Sequence, residues 1–396
     1  MKKIIFLYLF LTMLGGFACT NKEGDDDEWE KLIESEAKAA AEQYKYLYSQ
    51  TPKDRMPKTY YPQEAKLESS STSWWTSGFF PGTLFYIYEL TGDQKVLDLG
   101  VEKLEILAKE QHNKGTHDLG FMLYCSFGNA DRLNPNDDYK NIMLTGAESL
   151  ASRYNEDAQV IRSWDHGKWQ FPVIIDNMMN LEFLFWASEQ SGDPKYKDIA
   201  IKHSNQTIKN HFRDDYSSYH VIDYDPANGE VLARETAQGL HDESAWARGQ
   251  SWALYGYTTM YRLTKDEAYL YQAKAIAEFI FSHPNLPEDL IPFWDFDITE
   301  QAQEKRDVSA AAINASALLE LAKYVSSEQA DDYVDKAKII LKNLSSDPYR
   351  AKENEIGGFL LKHSVGHFKA NSEVDVPLTY ADYYYIEALL RLKKWY

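Results

Sequence analysis

"RLTKDEAYLYQAKAIAEFIF" (262–281) decides the fold. A polar break at Lys265-Asp266 precedes Tyr269, Leu270, Ala273, Ile276, Ala277 and Ile280, apolar at the three- and four-residue steps of one helix face. An Asp before such a run is an N-cap signal. The arrangement recurs. "ELTGDQKVLDLG" (89–100) breaks at Gly92-Asp93, "NPNDDYKNIM" (134–143) at Asp137-Asp138, "EQSGDPKYKDIA" (189–200) at Gly192-Asp193 and "SSEQADDYVDKA" (326–337) at Asp331-Asp332. The marks fall roughly 45–75 residues apart, which suits a helix pair plus a variable loop, and such a period means stacked helical hairpins. With "EWEKLIESEAKAAAEQYKYLYS" (28–49) at the start and "YADYYYIEALLRLKKWY" (380–396) at the end, about six pairs fit. Six hairpins either close into an all-α toroid with a central pit or stay an open solenoid. No long Pro/Ser linker or strand-rich second unit interrupts them. One domain over residues 28–396 is expected, with a short β-hairpin in "SSYHVIDYDPANGEVLA" (217–233).

The chain has 396 residues, 44% hydrophobic and 14% aromatic, enough to bury a sizeable core. Its 28 Tyr and 10 Trp are rings that suit either a packed core or a carbohydrate surface. A net charge of −19 argues against nucleic acid and against a long polyanion held on a broad basic face. A short anionic ligand in a local basic pocket is compatible with it.

Residues 1–18 belong to a secretory signal: two lysines, an apolar run and small residues before Cys19. The run is too short for a membrane span. Cys after small residues matches a bacterial lipobox, with Gly16 departing from the usual branched apolar residue. Residues 19–27 then read as a lipidated, flexible acidic tether. The expectation is an exported lipoprotein of a Gram-negative bacterium, periplasmic or on the cell surface, touching membrane only through its lipid. Cys125 is then the one remaining thiol, so no intrachain disulfide forms, and "FMLYCSF" reads as core.

"FPVIIDNMMN" (171–180) sets one carboxylate, Asp176, among apolar and neutral residues. Asp176 is either an N-cap for the helix-like run that follows or a general acid in an apolar seat, where burial keeps it protonated near neutral pH. Other loops gather polar and aromatic residues. "SWWTSGFFPG" (73–82) holds Trp74 and Trp75, and "THDLGF" (116–121) holds His117 and Asp118. "SYHVIDYDP" (218–226) holds His220, and "TAQGLHDESAWARGQSWALYG" (236–256) holds Gln238, Trp246, Arg248 and Trp252. Singly, His117-Asp118 reads as a cap, the tryptophans as core, and Arg248 as a surface partner of Glu243. His363 and His367 stand four apart, as in some metal sites, without an HExxH pattern or third ligand, so no metal or cofactor is expected. Together the loops offer two carboxylates, an Arg, imidazoles and flat rings. Sugar-acid chemistry needs these: carboxylates for proton transfer, Arg to match a carboxylate, rings to stack on pyranose faces.

"WTSGFFPG", "HDLGF", "IIDNMMN", "YHVIDYDP", "ESAWARGQSWALYG" and "YADYYYIEAL", in this order, resemble the unsaturated glucuronyl hydrolases, family 88 of the glycoside hydrolases. The resemblance implies an (α/α)6 barrel. It implies a substrate left by polysaccharide lyases, an unsaturated glycosaminoglycan di- or oligosaccharide with a 4,5-unsaturated uronic acid at its non-reducing end. It makes Asp176 the acid/base and Asp118 the second aspartate, assisting the cationic centre and holding hydroxyls. His117, His220, Gln238 and Arg248 would hold the uronate and the water, Trp75 and Trp252 would line the pocket, and Trp164 or Trp169 would stack on the next sugar. Some relatives recognise sulfated hexosamine through Ser-x-x-Ser-x-Lys. "SVGHFK" (364–369) keeps Ser364 and Lys369, with His367 at the second Ser. Rival expectations are an unsaturated rhamnogalacturonyl hydrolase, an inverting glycosidase using Asp118 and Asp176 as its pair, and a non-catalytic glycan-binding surface lipoprotein.

Overall fold

The computed structural model describes residues 19–299 and 304–396. The expected signal segment, 1–18, lies outside the described residues. Twelve α-helices carry the fold among the described residues: α1 (Cys19–Gln50), α2 (Phe79–Thr91), α3 (Gln94–Leu107), α4 (Asn129–Leu133), α5 (Asp137–Ala151), α6 (Leu181–Ser191), α7 (Lys195–His211), α8 (Ala247–Thr264), α9 (Glu267–Ser282), α10 (Val308–Leu321), α11 (Ser327–Leu344) and α12 (Thr379–Trp395). No described helix is long and apolar enough to cross a membrane. The acidic stretch expected as a flexible tether is helical: α1 runs unbroken from Cys19. Glu and Lys are good helix formers, and the amphipathic run 28–49 gives the helix a docked continuation.

Two rings of helices form. α8, α10 and α12 are buried along most of their length; α10, rich in Ala, Leu and Ile, is buried at every residue, while α8 and α12 bury polar groups that pair inside the barrel, such as Arg248 and Asp382. α3, α5, α9 and α11 bury one stripe each. The inner ring runs from α2 to a π-helix over Gly120–Gly128, to α6, α8, α10 and α12, and back to α2, each packed on the next. It closes; the open-solenoid alternative fails because α12 packs on α2 and α1 covers both. The first and last helices supply the sixth hairpin.

The Asp marks open the outer helices. Asp93 caps α3 through the Lys95 N–H, and Asp266 caps α9 through the Ala268 N–H, both at 2.9 Å. Asp193 accepts from the Lys195 N–H at 2.9 Å at the start of α7. Two marks shift. Asn136, rather than Asp137, caps α5. Asp331-Asp332 lie inside α11, and the break falls at Val325-Ser326. Both aspartates are polar residues on the open side of an outer helix.

Small sheets crown one end of the barrel. β1 (Met56–Tyr61) pairs with β2 (Lys66–Ser70), β3 (Tyr154–Asn155) with β4 (Val160–Ile161), and β8 (Ser364–His367) with β9 (Ser372–Val376). The expected hairpin is β6 (Val221–Tyr224) with β7 (Val231–Glu235), and β5 (Pro172–Ile174) adds a third antiparallel strand. The inner helices start at this end. Gly78 lets α2 in: a Cβ there would lie 2.1 Å from the Phe121 carbonyl oxygen, so the WTSGFFPG turn tolerates nothing larger. At the other end a cavity of about 540 Å³ is ringed by paired charges. Arg262 bonds Glu182 at 2.9 Å and Glu320 at 2.6 Å, and Arg391 bonds Glu320 at 3.2 Å. Cations suit the C-termini of six inner helices.

Candidate active site

Asp176 follows β5, and register explains its neighbour. Ile174 pairs with Val221, and the Ile175 N–H donates to the His220 carbonyl at 3.1 Å, so Asp176 and His220 leave adjacent strand ends together. Their Oδ2 and Nε2 stand 3.7 Å apart. Asp176 is not the cap of a helix: it lies in the first turn of a 3-10 segment, Ile175–Asn180, and caps nothing there. It is 6% exposed and its Oδ2 has no hydrogen-bond partner among the described residues. Burial pushes the carboxyl up to about 7; Arg248 pulls it down, Asp118 pushes it up, and the Trp252 N–H pulls it down.

His220 fixes its own tautomer. Nδ1 accepts the Ala237 N–H at 3.1 Å and the Gln238 N–H at 3.0 Å, so the neutral ring carries its proton on Nε2, facing Asp176. Burial holds its pKa well below the ordinary value, with Arg248 acting in the same direction. The ring leans on Trp246 at 4.6 Å.

Asp118 enters from the opposite side, just ahead of the π-helix, a rare form that recurs at functional sites. Its Oδ2 accepts from the Thr116 hydroxyl at 2.6 Å and its Oδ1 lies 3.2 Å from His117 Nε2. The pair is therefore not a simple cap. Buried His117 has its pKa lowered, first by burial. Ser163 ties this loop to the Asp176 strand: its carbonyl accepts the His117 N–H at 3.2 Å and its hydroxyl the Ile174 N–H at 3.0 Å. Trp164 follows Ser163 in the chain and stacks on His166 at 5.8 Å. It meets Trp169 edge-on at 5.5 Å, and the Trp169 N–H donates to Glu235 at 2.7 Å.

Arg248 corrects two expectations. It is not a surface partner of Glu243, which faces Arg213 at 3.6 Å. It is 1% exposed, because α8 opens the inner ring there. Nor is its fork free for a carboxylate. Nη1 donates to Asp307 Oδ2 at 2.7 Å and the Val365 carbonyl at 2.5 Å; Nη2 donates to Gln238 Oε1 at 2.9 Å and the Gly366 carbonyl at 2.7 Å. Only Nε–H lacks a partner. Trp246 and Tyr380 flank the guanidinium at 4.5 and 5.3 Å.

Aromatic rings pack around these groups: Trp75 on Tyr380 at 4.9 Å and on Phe121 at 5.6 Å, and Phe121 on Trp252 at 5.1 Å. Ser364 is fully buried with an unpartnered hydroxyl, His367 is half-buried, and Lys369 is exposed. His363 does not join His367; it bonds Asp375 at 2.6 Å, since four residues of extended chain set two side chains about 13 Å apart where one helical turn would bring them together. The sequence reading missed Asp307 and Tyr380. Asp307 was detectable: "RDVSA" is a cap signal, and its Oδ1 accepts the Ser309 N–H at 3.1 Å at the start of α10.

A barrel of six inner and six outer helices, with two carboxylates, an imidazole and clustered aromatic rings at the inner N-termini, has close counterparts. The glycosyl hydrolase family 88 model matches residues 48–347. The unsaturated glucuronyl hydrolase of Formosa agariphila is 48% identical over 320 residues, 80% of this chain and 79% of that protein. This chain belongs to family 88 of the glycoside hydrolases. A crystal structure of an unsaturated glucuronyl hydrolase specific for heparin is similar over 93% of this chain and 98% of its own, with 49% identity and a TM-score of 0.89. A mutant of the Streptococcus agalactiae unsaturated glucuronyl hydrolase complexed with dGlcA-GalNAc6S is similar over 91% of each chain, with 29% identity and a TM-score of 0.78. The chain is thus an unsaturated glucuronyl hydrolase on an (α/α)6 barrel.

Proposed function

We propose that Asp176 hydrates the C4=C5 bond of an unsaturated uronic acid at the non-reducing end of a glycosaminoglycan disaccharide. The observation that carries this is its buried carboxyl, unpartnered at Oδ2 and pushed up to about 7. The bond is a vinyl ether conjugated to a carboxylate. Protonated Asp176 delivers its proton to C4, and positive charge develops at C5, shared with the ring oxygen. Asp176, now a carboxylate, takes a proton from a water as the water adds to C5. The resulting hemiketal opens and expels the next sugar. One residue must be acid first and base second, which requires a pKa near the working pH.

The other side chains take supporting parts. The His220 Nε2–H is positioned to hold the water. Asp118 places a carboxylate near the cationic centre and the sugar hydroxyls. Arg248 acts as a buried positive charge, with one free Nε–H toward the uronate. Trp75 and Trp252 wall the sugar ring. Identity with the heparin-specific structure favours heparin-derived disaccharides, with Lys369 at the hairpin tip as the cation for a sulfate. Export as a Cys19-lipidated protein is the localisation that the leader supports, and Cys19→Ala should move the protein from the membrane to the soluble fraction.

The test follows the ultraviolet absorbance of the conjugated bond with unsaturated heparin, chondroitin and hyaluronan disaccharides. Loss of absorbance with release of the hexosamine supports the reading, and the fastest substrate names the preference. Unchanged absorbance with all three, but loss with pectin-derived unsaturated sugars, would move the assignment to the rhamnogalacturonyl class. Cleavage of a saturated glycoside would replace hydration by an inverting mechanism. Binding without turnover of any sugar would leave a glycan-binding protein.

A further inference from the structure

Arg248 sits within electrostatic reach of Asp176, yet its four terminal N–H groups are all taken by the protein. Among the described residues Asp307 is the one carboxylate bonded to it, at 2.7 Å, with both side chains at 1% exposure or less. The same fork grips the Val365 and Gly366 carbonyls, which belong to β8, the strand that carries Ser364 and His367. It also grips Gln238, whose own N–H fixes His220. Breaking a buried pair by removing one partner leaves an uncompensated charge in low dielectric.

We infer that Asp307 is a positioning residue of this reaction: through Arg248 it clamps the Val365–Gly366 wall and Gln238 onto the pocket, and it balances the positive charge beside Asp176. Asp307 is 0% exposed and both its oxygens are held by the protein, so it acts through Arg248. Its Oδ1 is anchored by the Ser309 N–H at 3.1 Å and hydroxyl at 2.5 Å, which aims Oδ2 at Arg248. The inference rests on Asp176 as the acid of the proposed hydration.

The sign of the expected shift follows from the surrounding groups. Asp176 is faced by Asp118 from the loop before the π-helix, His220 from β6 and Arg248 from α8. Tyr380 of α12, Asp307 of α10, Glu373 of β9 and His367 of β8 surround Arg248. Of these Arg248 carries the full positive charge at neutral pH. Without the Asp307 charge its field at Asp176 strengthens, the proton on Asp176 is held less tightly, and the acid is lost at lower pH.

The variants are Asp307→Asn and Arg248→Lys, assayed by absorbance loss across pH. Asn keeps the shape: its oxygen can still accept from Arg248 while its amide faces the Ser309 hydroxyl. The alkaline limb of kcat/KM should move down by about half a unit or more in Asp307→Asn. Arg248→Lys keeps the charge and loses the fork, so KM should rise several-fold with the limb near its parental place. A parent with no alkaline limb sinks the Asp176 reading itself. A parental limb that stays put in Asp307→Asn, with activity reduced equally at every pH, overturns the positioning role and leaves a structural one. Should Asp307→Asn fail to fold, Asp307→Glu, which keeps the charge but displaces the fork, takes its place: a raised KM with the limb at its parental pH would uphold the clamp, and a parental KM would overturn it.

Discussion

Asp176 and Asp382 are both aspartates buried in the barrel, and burial pushes the carboxyl of each up to about 7. Their surroundings differ. Asp382, in the first turn of α12, accepts the Tyr44 hydroxyl at 3.0 Å and the Leu360 and Leu361 N–H groups at 3.0 Å each. These donors pull its pKa back down, and they tie α12 to α1 and to the chain ahead of β8. Asp176 has an oxygen without a hydrogen-bond partner among the described residues, facing a histidine nitrogen and an indole N–H that are equally without partners there. A shifted pKa alone therefore does not mark a site. A shifted pKa on a group left open to a ligand does, because a fold has no reason to leave a buried carboxyl unpaired.

Substitution should separate the two aspartates most widely in turnover. Asp176→Asn should lower kcat by about a hundred- to ten-thousand-fold or more, while the protein stays folded and still holds the disaccharide. Near-parental turnover would end the mechanism. Asp382→Asn should behave the opposite way. Its amide must turn one N–H toward a donor, so unfolding free energy should fall by about 1–3 kcal/mol, with kcat per folded molecule at the parental value. A stable, inactive Asp382→Asn would erase the distinction.

A subtler effect concerns stability against pH. Both folded pKa values lie near 7, above the ordinary Asp value of about 3.9. Groups raised in this way contribute stability that is fully present below about pH 4 and is lost as pH rises to about 7. Denaturant melts at pH 4.5 and 7.5 should therefore show a smaller drop in each Asn variant than in the parent. An unchanged drop in both would mean that neither carboxyl is raised. The smallest expected effect is at the rim: Lys369→Ala should slow sulfated disaccharides several-fold and leave unsulfated ones alone, and equal slowing of both would remove Lys369 from sulfate recognition.

The sequence reading reached the hairpins because caps and helical periodicity are local, as at Asp93 and Asp266. Ring closure is not local; it rests on α12 meeting α2 across the whole chain. Asp176 was noticed as a carboxylate out of place, but its pairing with His220 depends on the β5–β6 register, which the run "PVII" does not specify alone. Arg248 was picked out correctly as polar and set between tryptophans, yet its partners lie 59 and 117 residues away, so it read as a surface residue. Asp307, which the sequence reading passed over, is the cap of α10, and what its local sequence does not carry is that its second oxygen faces a guanidinium 59 residues away.

The central claim is that a protonated Asp176, not an ionised one, starts the reaction. The direct measurement is kcat/KM for absorbance loss of the best unsaturated disaccharide from pH 5 to 9, since that ratio reports the free enzyme's essential groups. The account predicts an alkaline limb near pH 7, the value burial gives Asp176. A rate that stays level, or climbs, through pH 8 would contradict it.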